Sequence, residues 1–242
     1  MDAATFAASA GAPLNKVGAG FYFDPVTLAK GKELGLDGFR MYVLGRGGVL
    51  GDVEAPVVQA AFGYFQMDLV EKIWGSAKEI MAPRDGSRAY HEACADYGRS
   101  RFADIEGLAA FNAGAEAIIA AQPVAGLSLY AAWAAEPMVD DVPGRAAQLA
   151  AVLRELRGSA HLVAIVASGL NDQQAHFLKR PDDYAMFGWS DPPEIDDSHR
   201  AAMDTAEDLT NQLLAPAFGV VPEGERAAFC ATAEAMQGAL AG

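Results

Sequence analysis

The sequence is short of cysteine, of positive charge and of long apolar runs, and each shortage removes a class of protein. The two cysteines, Cys94 and Cys230, sit far apart inside Ala-rich helical patterns. They form no CxxC pair, so neither a disulfide framework nor a thiolate zinc site is expected, and both read as buried free thiols. Only 18 Lys and Arg stand against 32 Asp and Glu, a formal net charge of −14. That surface repels nucleic-acid phosphates and anionic lipid alike, so neither nucleic acid nor a membrane is an expected partner. No apolar run reaches the ~20 residues that cross a bilayer. The opening MDAATFAASAGAPLNK has no basic segment followed by an apolar one. It reads as a flexible lead over residues 1–17, and the protein as cytoplasmic. His91-Glu92 lacks the second His of the zinc-protease spacing, and no other metal-ligand spacing occurs. Gly45, Gly47, Gly48 and Gly51 are not followed by Lys-Ser/Thr and follow no strand, so no phosphate-binding loop is present. No cofactor can be named.

Period-2 alternation is also missing beyond a few residues, whereas apolar residues recur at helical spacing. The expectation is an all-α fold of roughly nine to eleven helices. It would be a multi-helix bundle of two packed lobes, residues 18–122 and 123–242, divided near Gln122-Pro123. A weak echo, Gly35-Leu36, Leu44 and Arg46 against Gly169-Leu170, Leu178 and Arg180, is consistent with a degenerate duplication.

The densest aromatic cluster lies between Gly18 and Trp74. Asp24-Pro25 starts a helix that Gly35 stops, and Asp37 caps a second one reaching Arg46. Phe39, Tyr42, Val43 and Arg46 share one face of that second helix. An arginine on an apolar stripe must reach water, find a partner or bind an anion, because a buried lone charge is costly. Val58, Phe62, Phe65, Leu69 and Ile73 then form the stripe of one helix beginning near Pro56, with Tyr64 facing away from it. Further on, Arg145 to Arg157 reads as a helix. His161 reads as opening another, wholly apolar helix, which places its imidazole in a buried first turn. A neutral imidazole bonded to a carbonyl and a ligand-facing general base are both open there. His176 reads as exposed. The acidic run from Asp191 to Asp208 reads as a solvated face.

Together these segments resemble an actinobacterial family of SalK- or EvbL-like, helix-turn-helix proteins. The resemblance is carried by YFDP…ELGLDGFRMYVLGRGGVLGDV, by LRELRGSAHLVAIVASGL, by Gly188-Trp189-Ser190 and by AEDLTNQLLAPAF. It covers nearly the whole chain in order. Four departures stand out: Gly18 replaces the His that precedes the YF pair in the family pattern, Gly48 and Val49 replace an Ala-Pro pair after Arg46, Ser159 replaces an Asp, and a winged-helix-like segment after Trp189-Ser190 is missing. That missing segment is the one the DNA-binding label implies.

Two function classes follow. The first is a small-molecule-binding helical protein, with or without catalysis, acting in specialised metabolism. Its pocket would be lined by Phe21, Tyr22, Phe23, Tyr42 and Tyr64. His161 would be its acid/base and Arg46 its anion clamp, converging on one cavity. The second is a non-catalytic acidic interaction or transcription-regulatory module. The expected partners are a small-molecule ligand and, at most, a second copy of the chain in a homodimer.

Overall fold

The helices begin where short polar side chains can cap them and proline can take the first turn. Asp24, Asp37, Asp141, Asn171 and Asp196 each accept a hydrogen bond from a backbone N–H of the helix they open. The computed structural model describes residues 1–241 and contains, among the described residues, twelve α-helices and no strand. In chain order they are α1 (Ala3–Gly20), α2 (Pro25–Glu33), α3 (Gly38–Gly47), α4 (Ala55–Phe62), α5 (Met67–Lys78), α6 (Pro83–Arg101), α7 (Leu108–Ala121), α8 (Ser128–Ala134), α9 (Val142–Ala167), α10 (Asp172–Lys179), α11 (Asp197–Phe218) and α12 (Glu223–Gly238). Three short 3₁₀ helices accompany them, among them Pro181–Phe187 directly after α10.

The 26-residue helix α9, roughly 39 Å long at 1.5 Å per residue, is the axis of the bundle. α1, α6, α7, α8 and α11 pack directly on it. Leu149, Ala150, Val152, Leu153, Leu156 and Ala160 are buried along its length. Alanines on α9 and glycines on its neighbours keep the side chains small and let the helices approach closely.

The expected all-α class is what the chain adopts. Other expectations change. Residues 3–20 are a helix rather than a flexible lead, because Phe6, Ala7, Ala10, Leu14 and Val17 form an apolar stripe that packs against α9, α11 and α12. The connection after Ala121 separates α7 from α8, and α9 packs on helices from both sides of it. The single stripe from Val58 to Ile73 is split: Gly63 and Tyr64 both have positive φ, 58° and 56°, and turn the chain between α4 and α5. Conversely, the segment from Arg145 to Ala167 is one helix, so His161 lies well inside α9 and not at a helix start. Its last turns are apolar all round in sequence but only half covered: Ala164 and Ile165 are buried, Val163 and Val166 exposed.

The sequence echo has a local structural counterpart. α2 and α9 each end at a glycine with left-handed φ, Gly35 at 78° and Gly169 at 83°. In both, the next N–H returns to the helix: Leu36 N to Gly31 O at 2.8 Å, and Leu170 N to Ile165 O at 3.2 Å. Both turns therefore close in the same six-residue capping pattern. Each is followed by an Asx cap and a second helix, α3 or α10.

Candidate functional site

A buried carboxylate organises the centre of the molecule. Glu155 on α9 is 1% exposed and accepts two hydrogen bonds from Arg46, Nε to Oε1 and Nη2 to Oε2, both 2.8 Å. Arg154 Nη1 at 2.8 Å and the Tyr22 hydroxyl at 2.9 Å also donate to Oε1. Burial alone would push this carboxyl up, but Arg46 and Arg154 override it and hold the group down at about 2. Arg46 also donates to the Tyr42 hydroxyl at 2.9 Å and lies 4.2 Å over the Phe62 ring. Three of its five N–H groups are thus engaged within the protein.

Beside this hub a cavity of about 110 Å³ opens between α3, the α4–α5 turn, α9 and α10. Arg46, Arg154, Arg157, Lys179 and Arg180 line it, together with His161, His176, Tyr42, Tyr64 and Phe65, and no Asp or Glu does. Among the described residues, two carboxylates neutralise these five cations from behind. Glu155 serves Arg46 and Arg154, and Glu207 on α11 pairs with Arg157 at 2.6 Å and with Lys179. Among the described residues, the Arg180 side chain has no ion pair or hydrogen bond. In a chain of net charge −14 the cavity wall therefore carries a local positive excess. Arg46 and Arg154 lie deep in this wall, where water screens charge weakly, whereas Lys179 and Arg180 stand at its exposed rim.

The hydrogen-bond network assigns the His161 tautomer. Thr210 Oγ1 donates its single proton to Ala206 O at 2.7 Å, so it receives the Nδ1 hydrogen of His161 at 2.8 Å. Nε2 is left with a lone pair and no hydrogen-bond partner, although it is buried. Its nearest acid, Glu207 Oε1, is 3.8 Å away, beyond hydrogen-bonding distance. Burial first, and then the charge of Lys179, lower the imidazole to about 4. The ring is neutral near pH 7 for these reasons and not because of a helix start. His176, expected on an exposed face, is 2% exposed. Its ring lies 4.2 Å from that of Phe187, and its Nε2 is also unpartnered.

Backbone strain marks the same wall. Tyr64 is the one non-glycine described residue with positive φ, and it is held there by Trp189, whose indole N–H donates to Tyr64 O at 2.6 Å. Conformations of this kind persist only where neighbours enforce them.

Of the residues singled out in the sequence, Arg46, His161, Tyr42 and Tyr64 line this cavity. Tyr22 and Phe23 line a second hollow of about 270 Å³ that shares Tyr42, Phe65, Arg154, Arg180 and Phe187 with the first. Phe21 lines neither: its ring packs at 4.7 Å on Tyr90 and 5.0 Å on Tyr22, inside the core. Sequence reasoning missed Glu155, Arg154, Arg157, Thr210, Glu207, Lys179 and Arg180. The charged pair Arg154-Glu155 inside an apolar helix was a usable signal for the first two. For Arg180, its echo of Arg46 was another.

α2–α3 and α9–α10 each have the outline of a helix-turn-helix, with four-residue connections Leu34–Asp37 and Ser168–Asn171. α3 is buried from Met41 to Gly47, and α10 opens with an acidic Asp172 in its first turn. No helix is long and apolar enough to cross a membrane, and the described residues hold no cluster of metal-ligating side chains. No curated protein and no solved structure matches the chain. A model of a helix-turn-helix family does match, over residues 7–242, and the chain belongs to that family.

Proposed function

We propose that this protein is a non-catalytic, ligand-responsive regulatory module of the helix-turn-helix family, and that its effector is a small organic anion held in the His161 cavity. The observation that carries the reading is the lining: five cations and no carboxylate face one cavity inside a strongly acidic protein. A polar wall of this sign, set against Tyr42, Phe62, Tyr64 and Phe65, suits an acid with an apolar body. Arg157, Lys179 and Arg180 serve as the anion contacts, with Arg46 holding the cavity wall through Glu155. Within the family, the residues quoted above ally the chain with its SalK- or EvbL-like members. The acidic surface and buried α3 support a cytoplasmic protein that does not itself hold DNA.

Two measurements test this. Native mass spectrometry of the purified protein, followed by thermal shift against a panel of aromatic and aliphatic carboxylic acids, is expected to find a retained or stabilising acid. A protein that carries none, and whose melting temperature no acid raises, overturns the effector reading. Fluorescence anisotropy with labelled duplex DNA at about 50 mM salt is expected to show no binding, and salt-dependent duplex binding overturns the assignment of this chain as the module that does not touch DNA.

A further inference from the structure

The hollow beside the His161 cavity is a place of its own. Tyr42, Phe65, Arg154, Arg180 and Phe187 form the partition between the two, so each takes its own occupant. The second hollow is about 270 Å³, more than twice the volume of the first. Six stretches of chain meet around it: α1, the turn into α2, α3, the α4–α5 turn, α9 and the 3₁₀ segment after α10.

Aromatic rings dominate its lining. Tyr22, Tyr42 and Phe65 are buried there, and Phe23 stacks on Tyr42 with centroids 5.6 Å apart and planes at 30°. Phe23, Phe39 and Met186 are 47%, 41% and 52% exposed. The Phe23 and Phe39 rings lie 5.7 Å apart, and exposed Leu28 meets them across Gly38. Single exposed apolar residues are ordinary, but a contiguous set beside a concave surface marks a binding site.

Charge selects the occupant. Lys16 and Arg180 line the hollow without an ion pair among the described residues, and its one carboxylate, Asp183, is likewise unpaired. Arg154 is already held by Glu155. The lining thus has one unpaired cation more than it has anions, in a chain of net charge −14. A second copy of so acidic a chain is repelled, whereas a small anion is drawn in. Flat rings offer Phe23, Phe39 and Tyr42 faces and edges to pack against.

We infer that this second hollow binds a planar aromatic anion, its rings among Phe23, Phe39 and Tyr42 and its acid group in the field of Lys16 and Arg180. This site goes beyond the effector reading above and does not depend on it.

The test uses the folded full chain at neutral pH and two fluorescent probes, 8-anilinonaphthalene-1-sulfonate and its uncharged parent N-phenyl-1-naphthylamine. The sulfonate is expected to bind about tenfold more tightly, the weight of one charge-assisted contact. Phe39→Ser and, on the other side of the hollow, Met186→Ser are each expected to weaken it severalfold, and Lys16→Gln about threefold. Val166→Ser, at an exposed apolar position elsewhere, is expected to leave it unchanged. Equal binding of the two probes overturns the anion. Binding lost in Val166→Ser but kept in Phe39→Ser and Met186→Ser overturns the site. Binding weakened by Lys179→Gln but not by Lys16→Gln puts the probe in the His161 cavity, which overturns this inference and leaves the effector reading standing. Sedimentation velocity is expected to give one oligomeric state for the parent and Phe39→Ser; a dimer that Phe39→Ser dissolves assigns the rim to a second copy and overturns the ligand.

Discussion

Arg46 and Glu155, 109 residues apart in the chain, are joined by two hydrogen bonds of 2.8 Å in a site from which water is almost absent. Removing one partner of such a pair strands the other. Glu155→Ala leaves Arg46 and Arg154 buried without their carboxylate, and a loss of about 3–5 kcal/mol in urea unfolding is expected. The double variant Arg46→Met, Glu155→Leu removes the Arg46 charge as well and is expected to recover part of that loss, Arg154 still lacking its carboxylate. A double variant no better than Glu155→Ala would show that packing, and not charge, sets the cost.

The histidines give the protein a pH limit. Burial lowers both His91 and His161 from 6.5 to about 4, and lowers His176 in the same direction. Between pH 6.5 and 4 the unfolded chain takes up protons that the folded chain refuses, so stability falls as pH falls through this window and is level above it. Glu155, lowered from 4.5 to about 2, adds a second loss below pH 4.5 as the unfolded carboxyl protonates first. Thermal melts from pH 7.5 to 4 are expected to show a steady decline starting near 6.5. The variant His91→Phe, His161→Phe should flatten that first phase; an unchanged slope would assign it to other groups.

Arg180 predicts opposite effects on stability and binding. Its guanidinium lines a cavity already crowded with cations and has no acid of its own among the described residues. Arg180→Gln is expected to stabilise the ligand-free protein by about 0.5 kcal/mol through reduced repulsion, and to weaken acid binding about tenfold. Denaturation and titration of the same sample check both signs. Loss of stability together with unchanged binding would remove Arg180 from the anion site.

Gly18 allows the closest approach of α1 to α9. A Cβ there would lie 2.5 Å from Ala150 O and 2.6 Å from Arg154 Cβ, neither of which is a flexible chain end. Gly18→Ala is expected to cost about 1–3 kcal/mol by prying the helices apart. A melting temperature equal to that of the parent would mean that the bundle relaxes freely. That geometry bears on one departure named in the sequence: a histidine at position 18, the residue the resemblance would place there, has no room at this helix contact.

That departure illustrates what was legible. Asp24, Asp37 and Asn171 announced their helices because capping is local chemistry, read within four residues. Arg46 and His161 drew notice because a polar group on an apolar stripe violates a local rule, and both line the same cavity. Glu155 was hidden among three ordinary arginines on a helix whose burial is decided by α1 and α6, far away in sequence. The split at Gly63-Tyr64 was illegible for a similar reason. Apolar spacing ran on through the turn, and the positive φ of Tyr64 is set by a hydrogen bond from Trp189, 125 residues distant. His161 was placed at a helix start because Gly158-Ser159 resembles a stop, yet both fit within α9 once neighbouring helices support it.

The position of α9 has a consequence for how the cavity breathes. One wall, carrying Arg154, Arg157 and His161, belongs to a helix ringed by five others, so the amides of its covered turns can exchange with solvent only when much of the molecule opens. The facing wall, α10 and the 3₁₀ turn Pro181–Phe187, lies at the surface and can open on its own. Deuterium uptake should therefore be blind to ligand along α9 and responsive from Asp172 to Phe187, which makes that short surface segment the natural reporter of occupancy.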